Sequence, residues 1–173
     1  DFYELSEPVI NEVARRSPRA GRAIFILDQY GYDKVPLATI NTIFKKFKGA
    51  EVILNFNVDS LINFLNPKNL SDFERKTGIT DAVPADLLDK ETRLPGYRRT
   101  VQSNLHQRII QGSGAKYFTP FFIRPERGHG DYWLLHLSQH AKARDVMATT
   151  HWKYNNHFSH HGGAGFDMFS TGY

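Results

Sequence analysis

Two short apolar runs organise the first third of the chain. Ala23-Ile24-Phe25-Ile26-Leu27 is continuous, is bounded by turn-forming residues and ends at Asp28. Val52-Ile53-Leu54 is a second such run and ends in Asn55-Phe56-Asn57. Continuous apolar runs of this length are expected of strands buried on both faces. Between them Pro36 opens a segment in which Ile40, Ile43, Phe44 and Phe47 recur at helical spacing. Lys45, Lys46 and Lys48 fall mostly off that stripe, and Gly49 ends it. Strand, helix and strand within about 35 residues make a βαβ unit, whose two strands are parallel neighbours.

The flanking pattern is helical before this unit and mixed after it. Leu5, Val9 and Val13 form one stripe, with Ser6 as the expected cap, Glu7 and Pro8 in the first turn and Arg15-Arg16 at the end. Residues 58–95 are expected to be a helical insertion, with short helices around Leu61 to Leu65, Asp72 to Lys76 and Ala85 to Leu88. Residues 97–111 give a clearer helix through Val101, Leu105 and Ile109. Lys116 to Ile123 and Asp131 to Leu137 are β-rich, and their short connector predicts an antiparallel hairpin. A helix over about Lys142 to Trp152 is expected next. Residues 151–173 form a tail rich in Gly, His and aromatic residues. The expected fold class is α/β, a Rossmann-like mostly parallel sheet with an antiparallel hairpin at one edge. Ligands of open α/β sheets gather at the carboxyl ends of the strands, which singles out Asp28, Asn55 and Asn57.

Composition narrows the setting. The chain has 173 residues, the size of one domain, and residues 1–173 are read as a single unit. It has no cysteine, which excludes disulfides, thiolate zinc sites and a cysteine nucleophile. A domain without such staples fits a reducing, cytoplasmic setting. No apolar run approaches the roughly 20 residues of a membrane span, so no membrane partner is expected. The net charge of +4 permits a nucleic-acid partner without requiring one. The chain begins at Asp1 and ends just after a Gly-rich run, as the ordered part of a longer protein would.

Each candidate residue has a functional and a structural account. Asp28 either orients a substrate amine or hydroxyl, or caps the loop that follows it. Tyr30 and Tyr32 either stack on a base or pack on the sheet edge. Asn55 and Asn57 either bond a ligand or cap the next helix. His140, His151, His157, His160 and His161 are spaced so that some could share a metal, with His129 and Asp167 nearby in sequence, but they match no established metal motif. No metal is therefore expected, and a metal-dependent hydrolase or nuclease is the outlying possibility. Arg93, Arg98, Arg99 and Arg108 read first as a solvated helix surface and second as phosphate contacts.

The run Leu27-Asp28-Gln29-Tyr30-Gly31-Tyr32 resembles motif four of the class I methyltransferases. There an Asp-Pro-Pro-Tyr or Asp-Pro-Phe-Gly sequence closes the fourth strand and faces the group to be methylated. The resemblance implies that the chain is the second half of that fold and that S-adenosylmethionine is the cofactor. It further implies Asp28 and Tyr30 as catalytic residues, and Gln29, Tyr32, Asn55 and Asn57 as substrate contacts. Asp1 and Phe2 would be cofactor-binding, after the third strand. More narrowly, the chain resembles the three-Cys-motif partner proteins of bacteria and phage, through Arg22 to Pro36, Ala50 to Asn63, Tyr132-Trp133-Leu134-Leu135 and the His-His-Gly-Gly-Ala-Gly-Phe-Asp run within Met147 to Phe169. That resemblance implies a radical-SAM-like three-Cys-motif protein as partner, with this chain either a methyltransferase acting on nucleic acid or a non-catalytic binding subunit. Two departures matter. Gln29 stands where the methyltransferase motif has proline, and no strand with a Gly-x-Gly loop precedes Asp1 to hold the cofactor.

Overall fold

A computed structural model of the chain describes residues 2–17, 21–29, 33–84, 88, 97–123 and 132–154, the side chains of Phe2, Tyr3, Arg98, Arg99 and Phe122 excepted. Expectations for Asp1, Tyr30, Tyr32, Arg93, His129, the hairpin connector and the tail after Tyr154 lie outside these residues, as do those for the side chains of Phe2, Arg98 and Arg99.

The elements run α1 (Phe2–Arg16), β1 (Ala23–Asp28), α2 (Leu37–Lys46), β2 (Ala50–Asn57), α3 (Val58–Phe64), α4 (Leu70–Thr77), α5 (Tyr97–Ser113), β3 (Tyr117–Ile123), β4 (Tyr132–Ser138) and α6 (Ala141–Tyr154). The fold is α/β. Its sheet has four strands in the order β1-β2-β4-β3. β1 runs parallel to β2, with Ala23 opposite Ala50 and Asp28 opposite Asn55. The hairpin is antiparallel as the pattern predicts, and it joins the sheet through β4, which runs antiparallel to β2. The sheet is therefore mixed. β1, β2 and β3 run in one direction and β4 in the other, so only one of the three strand pairings is parallel. β4 enters beside β2, and its hairpin partner β3 takes the outer position.

Burial corrects one expectation. β1 is not buried on both faces: Phe25 and Leu27 are buried, but Ile24 and Ile26 are 63% and 72% exposed. β2 alternates in the same way, with Ala50, Val52, Leu54 and Phe56 buried and Glu51, Ile53, Asn55 and Asn57 partly exposed. A continuous apolar run does not say whether both faces are covered, because that depends on helices elsewhere in the chain. Here the helices are unevenly shared. α2 sends Leu37, Ile40, Ile43 and Phe44 into one core with Phe25, Leu27, Val52, Leu54, Leu135 and Leu137. α5 joins that core through Val101, Leu105 and Ile109. It lies close to α2 because position 112 is glycine, where a Cβ would collide with the Leu37 side chain. α6 takes the opposite face over the hairpin, where His151 packs on the Phe121 ring.

The remaining helices follow the pattern with shifted ends. α1 starts earlier than Ser6, so Ser6 does not cap it and Pro8 lies within it. Proline there donates nothing to the carbonyl four residues back. α3 and α4 are the first two expected short helices, and Asn57 caps α3 by accepting from the Ser60 amide (2.9 Å). Leu88 is buried, while the third expected helix falls largely on residues outside those described. Among the described residues no helix is long and apolar enough to cross a membrane.

Where α5 meets the hairpin, His106 packs on Phe118 (ring centroids 4.0 Å apart) and near Trp133 (6.2 Å). Its Nε2 is buried without a hydrogen-bond partner. Burial pushes the imidazole below its ordinary range, because the charged form would lose solvation there. The unfolded chain then takes up the proton first as pH falls. Stability from this group is present above about pH 6.5 and is lost on acidification toward the lowered folded value. Thermal melts between pH 8 and pH 5 should show this loss, and His106→Phe should flatten it without lowering the melt at pH 8.

Candidate functional site

The parallel register of β1 and β2 brings two polar side chains together at the carboxyl end of the sheet. Asp28 and Asn55 are register partners, and the Asn55 Nδ2 donates to the Asp28 Oδ1 at 2.8 Å. β1 stops here because the apolar run gives way to Asp28. β2 continues two residues further and passes directly into α3. The Asp28 carboxylate is exposed, and its second oxygen has no hydrogen-bond partner among the described residues. The Asn55 Oδ1 is buried and unpartnered. The pair therefore presents one fixed carboxylate whose outer oxygen can accept from an N–H or O–H donor.

Gln29 has a different place from the one its neighbour suggests. Its side chain is buried, and its Oε1 accepts from the backbone amides of Lys34 and Val35, both at 3.1 Å. It ties the far end of the loop between β1 and α2 by hydrogen bonds. Asn57 is likewise engaged, as the cap of α3. Of the residues singled out from sequence, Asp28 and Asn55 are thus brought together. Gln29 and Asn57 have their side-chain oxygens committed to backbone, and Tyr30, Tyr32 and Asp1 lie outside the described residues.

A second polar pair escaped the sequence reading. His136 on β4 is buried to 1% exposure, and its Nε2 lies 2.8 Å from the Glu51 Oε2 on β2. The His136 Nδ1 is buried without a partner, as is the Oγ1 of Thr119, its cross-strand neighbour on β3. The signal was present as polar residues interrupting apolar strands, in Ala50-Glu51-Val52 and Leu135-His136-Leu137. Only the antiparallel register, unknown from sequence, brings them to one face. Arg108 approaches Asp81 at 3.8 Å and so is partly accounted for as a surface pair. Among the described residues no three His, Asp or Glu side chains are grouped to hold a metal. His151 is buried against Phe121, and His140 lines an open groove with Arg22, Lys48 and Lys142.

These roles separate under mutation. Gln29→Ala leaves two inner amides without their acceptor and should cost about 1–3 kcal/mol, a fall in Tm of several degrees. Asn57→Ala should cost about 1 kcal/mol through the lost cap. Asn55→Ala, at an exposed pair, should change stability by less than about 0.5 kcal/mol. Thermal melts of the three variants check this order. Compared with protein-family models, with curated proteins and with solved structures, the chain matches none.

Proposed function

We propose that this chain is a methyltransferase-like transferase that works at the carboxyl end of β1 and β2, with Asp28 as the group that faces the substrate. The observation that carries this reading is the strand order β1-β2-β4-β3, with the single strand β4 antiparallel between β2 and β3. That order supports the reading, because the second half of the class I methyltransferase fold has the same order and its motif four follows the strand that β1 would match. The Asp28 carboxylate, steadied by Asn55, accepts a hydrogen bond from a substrate amine or hydroxyl and turns its lone pair toward the methyl group. Orientation is the main contribution of such a site, since the donor arrives already activated as a sulfonium.

S-adenosylmethionine fits this chain only in part. The described residues offer a substrate-facing acceptor, but among them no strand leads through a Gly-x-Gly loop into a helix, and the buried Gln29 is engaged with its own loop. The donor therefore has to be held by groups other than such a loop of these residues. The net charge of +4 favours an anionic substrate, nucleic acid first.

A second reading, a binding subunit for a radical-SAM-like protein, is favoured by exposed apolar side chains. Leu5 and Val9 on α1 and Ile24 and Ile26 on β1 all stand open to solvent. The two readings part on one experiment. Transfer of tritiated methyl from S-adenosylmethionine to total RNA, DNA and protein should fall about 100-fold or more in Asp28→Ala, since misplacing the reacting group costs that much. The melt should be unchanged. Equal transfer by the variant and the natural chain overturns the assignment of Asp28, and no transfer by either favours the binding subunit.

A further inference from the structure

The turns at one end of the sheet carry cations that the Asp28 site does not use. Arg22 stands just before β1, Lys48 in the turn between α2 and β2, and Lys142 in the first turn of α6. All three line one open groove of about 950 Å³. They meet because the amino ends of β1 and β2 lie beside the carboxyl end of the antiparallel β4. The Asp28–Asn55 pair is at the other end of β1, about 17 Å away at the rise of a strand. The cations stand on turns at the end of the sheet, so the set is the same whatever lies beside β1.

Their points of attachment are held. Gly21 has a φ of +51° and sits against Phe47, where a Cβ would come within 3.3 Å, so the entry to β1 is packed on the turn that bears Lys48. Across the groove the Ser138 Oγ donates to the His140 carbonyl (3.2 Å), and the Gln139 Nε2 donates to the Gly114 carbonyl (2.8 Å). These bonds fix the turn into α6.

The groove is positive. Arg22, Lys48 and Lys142 have no ion pair among the described residues. Glu51 is the one carboxylate among the described lining residues, and its Oε2 is turned to the buried His136 at 2.8 Å. The first turn of α6 opens here too, and its amides have no acceptor within the helix, which favours an anion further.

This arrangement fits a polyanion that runs through the groove. One small anion would call for donors that converge in a pocket, whereas these cations stand on three separate segments. A flat layer of lipid headgroups would not follow a groove. Ile24 and Val146 lie among the cations, 63% and 55% exposed. A duplex turns sugar and phosphate outward, but an unpaired strand also offers base faces that apolar side chains can cover. We propose that this groove binds a single-stranded nucleic acid, with Arg22, Lys48 and Lys142 on its phosphates and Ile24 and Val146 against its bases. The assignment takes from the methyl-transfer reading only nucleic acid as the partner. Binding is measured without a methyl donor, so each can fail while the other stands.

Fluorescence anisotropy with labelled single strands of about 16 nucleotides, DNA and RNA, tests it. For the natural chain, log affinity should fall with log salt at a slope of about −2, the value for three phosphates on a single strand. Lys48→Gln with Lys142→Gln should bring that slope to about −0.7. Lys48→Glu with Lys142→Glu should weaken binding at least about tenfold. Lys68→Glu with Lys153→Glu makes the same change of net charge at exposed lysines outside the groove. Lys153 is about 16 Å from Lys142 along α6, and Lys68 follows α3 at the other end of the sheet. At physiological salt this pair should leave affinity within about twofold, since the distance exceeds the screening length. All variants should melt with the natural chain. Equal weakening by the two charge-reversed pairs overturns the proposal, because net charge alone would then be felt. So does unchanged binding by the groove variants, or tighter binding of a duplex of the same sequence. Displacement of the strand by polyglutamate at equal charge concentration overturns it in favour of an acidic protein. No binding by the natural chain up to about 0.1 mM, the weak limit of non-specific affinity, overturns it as well.

Discussion

The parallel pairing of β1 with β2 is the contact on which the rest of the molecule depends. β2 is the strand through which the two parts of the sheet meet, the βαβ unit on one side and the hairpin on the other. Its buried residues, Ala50, Val52, Leu54 and Phe56, give both parts one core. The same register fixes Asp28 beside Asn55. A slip of one residue would send the apolar set of β1 to the open face and separate the polar pair. The core and the candidate site are therefore consequences of one alignment.

That alignment also explains the asymmetry of the sheet. α1, α2 and α5 gather on one face, and α6 on the other covers the hairpin. The part of the second face formed by β1 and the neighbouring half of β2 keeps Ile24 and Ile26 exposed. The strand end offers a held carboxylate.

Much of this was legible in the sequence because it rests on short-range pattern. The 3.6-residue spacing of Ile40, Ile43 and Phe44 gave α2, and the run from Val52 to Leu54 gave β2. The short connector gave the antiparallel hairpin. The strand ends at Asp28 and at Asn55 to Asn57 were legible because a change from apolar to polar marks a strand end. What was not legible depends on distant partners. The exposure of Ile24 and Ile26 follows from where α6 packs, and the Glu51–His136 contact follows from the β2–β4 register. Gln29 looked like a substrate contact because of its neighbours, but its oxygen closes its own loop on Lys34 and Val35. The start of α1 was misplaced because a serine followed by proline imitates a helix start.

The functional account rests on Asp28 and Asn55 acting as one unit. A double-mutant cycle tests this directly, with methyl transfer measured for the natural chain, Asp28→Asn, Asn55→Ala and the pair together. Residues that share one hydrogen bond and one task are coupled, so the two losses should fall short of adding by about 0.5–3 kcal/mol. Losses that simply add, within about 0.5 kcal/mol, would show that the two side chains act independently and would contradict the account.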